Sequence, residues 1–193
     1  MNTFSGAVLA GGASSRMGSD KALISLDGKR LIEVATSALH EAGAAEVFVV
    51  GGDGVQLREL GLRVVADRFP GEGPLGGVIT ALTAATHDVV AVLACDHVAT
   101  EGVAVRSVVG ALGSADVVVP VVDGRQQVLH AAWRRSVVGP LEQAYHNGAR
   151  SIRAALDGLA VVQLLDGDPC WFRDADTPSD LPKPTVAGDD ESR

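Results

Sequence analysis

Short apolar runs alternate with helix-spaced apolar positions through most of the chain. Phe4 to Ala10 reads as a first strand, long enough to be buried and too short to be a helix. Leu23 to Leu26 reads as an extended piece ending at Asp27-Gly28-Lys29, a tight turn because Asp-Gly tolerates positive φ. From Leu31 the apolar residues fall at Leu31, Val34, Ala35, Ala38, Leu39 and Ala42, one face of a helix that Gly43 is placed to end. Val47 to Val50 predicts a second strand closed by Gly51-Gly52, and Leu62 to Ala66 a third that delivers Asp67. The loop from Pro70 to Pro74 leads into a helix carrying Leu75, Val78, Ile79 and Leu82. Val89 to Ala94 is apolar throughout, as in a strand covered on both faces, and ends at Cys95-Asp96. A helix with Val105, Val108, Val109 and Leu112 and a strand at Val117 to Val121 follow.

The second half is less regular. It predicts a strand from Gln127 to Trp133, a helix from Val137 to Tyr145, a short helix over Ile152 to Leu156 and a strand at Val161 to Leu165. Trp171 to Ala175 reads as a last extended segment. The βαβ alternation implies an α/β fold, a mostly parallel sheet with helices on both faces. Ligands in such sheets sit beyond the carboxyl ends of the strands, where the first loop, Asp67 and Asp96 all fall.

The chain has 193 residues, which suits one substantial core and sets the expectation of a single domain over 1–181. Residues 182–193, rich in proline, glycine and acids, read as a frayed tail. A net charge of −8 argues against nucleic acid or an anionic membrane as partner, so a phosphate ligand needs a local basic site. Cys95 and Cys170 form no CxxC pair, and the N-terminus lacks the basic start and apolar stretch of a signal peptide. The expected home is therefore the cytoplasm.

That local basic site lies in the loop after the first strand. Leu9-Ala10-Gly11-Gly12 runs through Ser15-Arg16-Met17-Gly18 to Asp20-Lys21, putting flexible backbone, hydroxyls and two cations together. Such a loop can turn peptide N–H groups toward phosphate oxygens, with Arg16 forking onto a phosphate and Lys21 acting as a mobile charge. It is neither a Walker loop, which needs Lys-Ser or Lys-Thr directly after its last glycine, nor the three-glycine dinucleotide fingerprint.

The remaining candidates each carry two readings. Asp96 is a magnesium ligand beside a triphosphate or a cap for the next helix, and Asp176 is likewise a second ligand or a cap. Asp67 positions ribose, base or metal, or is an ordinary strand-end carboxylate. Gly73-Pro74-Leu75-Gly76-Gly77 suits close approach to a ligand or tight helix–sheet packing. His97 reads as a surface or loop residue, His130 as structural or substrate-facing, and Cys95 as a small buried apolar residue.

These segments together resemble the nucleotidyltransferases of the molybdenum cofactor guanylyltransferase type. The resemblance rests on the opening motif, Asp67, Gly73 to Gly77, Cys95-Asp96, Asp123-Gly124-Arg125 running into Gln127 to Trp133, and Asp174-Ala175-Asp176-Thr177-Pro178. It implies a three-layer α/β/α sandwich of Rossmann-like type that transfers GMP from GTP to the terminal phosphate of molybdopterin and releases pyrophosphate. It implies nucleotide contacts from Leu9, Ala10, Gly11, Gly12, Lys21, Gly51, Asp67, Gly76 and Asp96. Arg16, Lys21 and Asp96 would be catalytic, with Mg²⁺ on Asp96 and a possible second ligand in Asp176. Arg125, Gln127, His130 and Arg150 would face the acceptor, and molybdoenzymes or other cofactor-biosynthesis proteins would be partners.

Three positions depart from the family pattern. Gly51 stands where an asparagine is common, Val98 replaces a proline, and Asp176 stands where the guanylyl enzymes usually carry asparagine. Rival readings are a related transferase using CTP or another phosphorylated acceptor, and a nonenzymatic carrier of nucleotide or cofactor.

Overall fold

A computed structural model describes residues 3–11, 21–26, 28–165 and 168–172. Gly12, Arg16, Asp176 and the tail 182–193 lie outside the described residues.

The first strand, β1 (Phe4–Leu9), is buried at every position and sits inside the sheet. β2 (Ser25–Leu26) and β3 (Lys29–Arg30) form a separate small hairpin around Gly28, as the Asp-Gly pair predicts. The main sheet comprises β4 (Glu46–Val50), β5 (Val64–Val65), β6 (Val89–Ala94), β7 (Val117–Val122), β8 (Arg125–Gln126), β9 (His130–Arg134) and β10 (Val161–Leu164) as well as β1. Its order is β10-β7-β9-β6-β1-β4-β5, with β8 hairpinned onto β7. β1 runs parallel to both β4 and β6, β5 is parallel to β4, and β10 is parallel to β7. β9 is antiparallel to β6 and to β7, so the sheet is mixed but mostly parallel.

Among the described residues, five helices cover it: α1 (Leu31–Glu41), α2 (Gly54–Glu59), α3 (Pro74–Ala84), α4 (Gly102–Gly110) and α5 (Val138–His146). β6 shows why both faces must be covered. Val89, Ala91 and Leu93 join a core with Ile32, Leu39 and Val105, from α1 and α4, while Val90 and Val92 join Val78, Ile79 and Leu141, from α3 and α5. The alternation of strand side chains feeds two apolar layers from one sequence, which gives the three-layer sandwich.

Several boundaries differ from expectation. α2 was not foreseen: only its Leu57 is buried, so it lacks an apolar stripe, and Asp53 starts it by accepting the backbone N–H groups of Val55 and Gln56. The third predicted strand shrinks to Val64–Val65. β9 begins at His130 rather than Gln127, because β7 first turns back through Asp123 and Gly124, both at positive φ, into β8. The predicted helix at Ile152 to Leu156 is a 3₁₀ turn over Arg153–Ala155. Trp171 and Phe172, expected to open an extended segment over Trp171 to Ala175, instead end a 3₁₀ turn over Pro169–Phe172, and residues 173–175 lie outside the described residues. Among the described residues, no helix is long and apolar enough to cross a membrane.

Candidate nucleotide site

β1, β4, β5 and β6 point the same way, so their carboxyl ends share one edge of the sheet. The connection from β1 to β4 passes through α1 on one face, and that from β5 to β6 through α3 on the other. The direction of winding therefore reverses between β1 and β6, which opens a crevice there. Backbone hydrogen bonds carry the ladder past the strand ends: Ala10 N–H to Val50 O, Gly51 N–H to Val65 O, and Cys95 N–H to Leu9 O. Gly11, Gly51, Asp67 and Asp96 are thus delivered to one rim.

At the β6 end of the rim, Lys21 begins a 3₁₀ turn, and its Nζ lies 2.9 Å from Asp96 Oδ2. The two side chains are 15% and 25% exposed, so both stay reachable while each offsets the desolvation of the other. Asp96 does not cap the next helix. α4 starts at Gly102 with Glu101 as its N-cap residue, which leaves the carboxylate for another task. Its hard oxygen suits magnesium, which takes one or two carboxylates and completes its shell with phosphate oxygens and water. Among the described residues, no group of three or more His, Cys, Asp or Glu side chains could hold a metal. The donor set fits a cation shared with a triphosphate.

At the other end, Gly51 has φ of +75° and packs its backbone on Gly11; a Cβ there would lie 3.1 Å from Gly11 Cα and 3.2 Å from Gly11 N. Asp67 closes this end. Its Oδ1 accepts the Phe69 N–H and lies 3.0 Å from Thr80 Oγ1, while Oδ2 faces Gly11. Thr80 was not singled out from the sequence; its only signal there is a hydroxyl on the buried stripe of α3.

The Gly73 to Gly77 segment resolves toward packing. A Cβ on Gly76 would sit 2.6 Å from Phe69 Cβ, and one on Gly77 would sit 3.2 Å from Leu9 Cδ1. The start of α3 is filled by protein as well, since Leu75 N–H donates to the Arg150 carbonyl. Gly76 therefore lets the Asp67 turn lie against α3, and its own missing side chain faces Phe69.

The four acceptor-side candidates have different surroundings. Arg125 lines an open depression of about 570 Å³ with Gln126, Arg153 and Gln163. Gln127 is half-buried, and its backbone bonds to Pro120 and His130. Arg150 stacks on the Tyr145 ring at 4.2 Å and pairs with Glu72 at 3.3 Å; the Tyr145 hydroxyl donates a hydrogen bond to that same carboxylate, which pushes the phenol pKa up. His130 is 1% exposed, packed against His97 and Phe172, and burial first, then His97, lowers its pKa well below the ordinary value. It is a core imidazole. His97 lies in the connection after β6, as its loop reading has it, but it is buried rather than on the surface, and its Nε2 lies 3.1 Å from Leu129 O. Cys95 is buried, as expected.

Residues 6–161 match the family described as MobA-like NTP transferase domain. The chain is 32% identical over 189 residues to a probable molybdenum cofactor guanylyltransferase of Methanothermobacter thermautotrophicus, covering 91% of this chain and 95% of that one. It is 33% identical over 194 residues to a protein of the same description from Chloroflexus aggregans, covering 92% and 91%. The crystal structure of molybdopterin-guanine dinucleotide biosynthesis protein A from Archaeoglobus fulgidus superposes with a TM-score of 0.74 at 27% identity, covering 92% of this chain and 94% of that one. The crevice, the ion pair on its rim and these similarities agree, and the chain belongs to the MobA-like NTP transferase family.

Proposed function

We propose that this chain transfers GMP from GTP to the terminal phosphate of molybdopterin, in the cytoplasm, with Asp96 holding Mg²⁺. The observation that carries the reading is the Lys21–Asp96 pair, one cation and one carboxylate held 2.9 Å apart at the mouth of the crevice. A triphosphate and its counter-cation need that combination: Lys21 turns to the phosphate oxygens and Asp96 keeps the metal. The nucleoside then extends along the rim toward Gly11, Gly51 and Asp67, where backbone can approach closely.

In the reaction an acceptor phosphate oxygen attacks the α-phosphorus in line. One P–O bond forms, the bond to the bridging oxygen breaks, and pyrophosphate leaves with that electron pair. The attacking group is already an anion, so no protein nucleophile is needed and no proton must be removed. Lys21 neutralises charge on the triphosphate, and the rim holds the nucleoside in register; Arg16, close before Lys21 in the sequence, shares that task. Magnesium on Asp96 would supply Lewis-acid stabilisation of the α-phosphoryl oxygens. Arg125 is the acceptor-side residue best placed for an anion, on the rim of an open depression. Two cysteines far apart in the sequence, with no CxxC pair, are in keeping with a reducing compartment.

The test is pyrophosphate release with molybdopterin and each of GTP, CTP, ATP and UTP. GTP alone should support turnover. Preference for CTP would replace the base assignment, and tight GTP binding with no pyrophosphate would favour a carrier.

A further inference from the structure

The two oxygens of the Asp67 carboxylate have unlike surroundings. Oδ1 receives the Phe69 N–H at 3.0 Å and lies 3.0 Å from the Thr80 hydroxyl; Oδ2 faces Gly11, where a Cβ would lie 3.7 Å away. Thr80 is 1% exposed, on α3. Its Oγ1 also lies 2.9 Å from Gly76 O and accepts the Arg68 N–H at 3.1 Å. A buried threonine in a helix ordinarily bonds back to the carbonyl four residues earlier and has no further task. Here the same oxygen ties the Asp67–Phe69 turn to α3.

We propose that Thr80 is the positioning residue of the nucleoside end of the site. The Thr80 hydroxyl has one proton and two acceptors in reach, Gly76 O and Asp67 Oδ1. Given to the carboxylate, that proton joins the Phe69 N–H on Oδ1, and the two together stop the carboxylate from rotating about its Cβ–Cγ bond, so Oδ2 stays aimed at the rim beside Gly11. An ionised carboxylate oxygen can only accept, so its partner is an N–H of the base or an O–H of the ribose. Preorganisation removes the cost of ordering that acceptor when the nucleotide arrives. The inference rests on the nucleotide reading above.

The experiment compares Thr80→Val, Thr80→Ser, Asp67→Asn and the Asp67→Asn/Thr80→Val double variant. GTP affinity is measured by calorimetry, and KM and kcat by pyrophosphate release. Valine keeps the shape and deletes the hydroxyl; serine keeps the hydroxyl. Thr80→Val should weaken GTP roughly tenfold in Kd and KM while kcat changes less than about twofold, the signature of lost binding rather than lost chemistry. Thr80→Ser should stay near wild type. The double variant should bind no worse than Asp67→Asn alone, because Thr80 acts only through Asp67. Inosine triphosphate and the 2′- and 3′-deoxy forms of GTP tell base from ribose: the analogue lacking the partnered donor should lose its sensitivity to Thr80→Val, and retention of that sensitivity by all three assigns the contact to the base N1–H, which they share.

Wild-type GTP affinity in Thr80→Val, equal impairment in the serine variant, or effects of the two single variants that multiply in the double would each overturn this inference alone. Wild-type protein that binds no GTP would overturn the nucleotide reading with it.

Discussion

Gly51→Ala, set beside Gly61→Ala, isolates the backbone contact at the nucleoside end of the crevice. Both glycines sit in the left-handed region, at φ of +75° and +77°. An L-residue there costs about 1–2 kcal/mol, so that term is common to the two variants. The surroundings differ. A methyl group at residue 61 meets nothing within 4 Å, whereas one at residue 51 starts 3.1 Å from Gly11 Cα and 3.2 Å from Gly11 N. Both of those atoms are backbone and cannot swing aside as a side-chain end would. Relief requires β1's exit to move by a few tenths of an ångström, and overpacking of this kind costs about 1–3 kcal/mol. Gly51→Ala should therefore lose about 1–3 kcal/mol more than Gly61→Ala in urea unfolding, with similar m-values. Because the displaced atoms belong to the segment proposed to hold the nucleotide, its KM for GTP should rise while that of Gly61→Ala stays put. If the two variants matched in both stability and KM, the close approach of Gly11 and Gly51 would be refuted as an energetic feature of the site.

Three further outcomes follow from the same geometry. Lys21→Ala should lower kcat by about 10²–10³, the usual loss when a preorganised charge or donor is removed from a phosphoryl-type transition state; steady-state kinetics showing unchanged kcat would remove its catalytic role. Asp96→Ala should keep its circular dichroism spectrum and lose magnesium-dependent turnover, so near-normal activity would cancel the metal assignment. At the opposite end of the sheet, burial raises the Glu46 pKa, but hydrogen bonds from Ser5, Thr86 and Arg63 overcome it and hold the carboxyl down to about 2, from an ordinary 4.5. A lowered folded-state pKa adds stability that is complete above about pH 4.5 and lost as pH falls toward about 2. The stability gap between wild type and Glu46→Gln should then be about 1–3 kcal/mol at pH 7 and shrink between pH 5 and 3, the partly exposed Arg63 tempering its size; a gap independent of pH would contradict it.

The centre of the parallel sheet is legible because β1 and β6 are buried on both faces. Val89 to Ala94 and Phe4 to Leu9 carry nearly continuous apolar runs, and the punctuation at Gly43, Gly51 and Pro74 marks real boundaries. Helix α2 escaped because burial of Leu57 alone produces no periodicity, although Asp53 before Gly54 is a readable cap. The antiparallel sense of β9 is not written in HAAWR, which has both faces covered and no alternation to orient it. Its true start could have been found: Asp123-Gly124 is a two-residue hairpin turn, and it moves the strand onset to His130.

The site shows the same division. Asp67 and Asp96 are readable because each ends a strand on the same edge of a parallel sheet. Their local partners are not, since Lys21 meets Asp96 across 75 residues and Thr80 meets Asp67 across 13, distances over which only the fold decides contact. His97 reads as a surface or loop residue and His130 as structural or substrate-facing; in the fold both are buried, His97 against His130 and His130 against Phe172, contacts the sequence does not show.

The central claim is that one nucleotide spans the rim from Asp67 to Asp96. A crystal structure of the protein with GTP and magnesium tests it most directly. The account predicts the triphosphate beside Lys21 and the metal on Asp96, with the nucleoside against Gly11 and Asp67. GTP lodged anywhere else, such as the depression between Arg125 and Arg153, would contradict it.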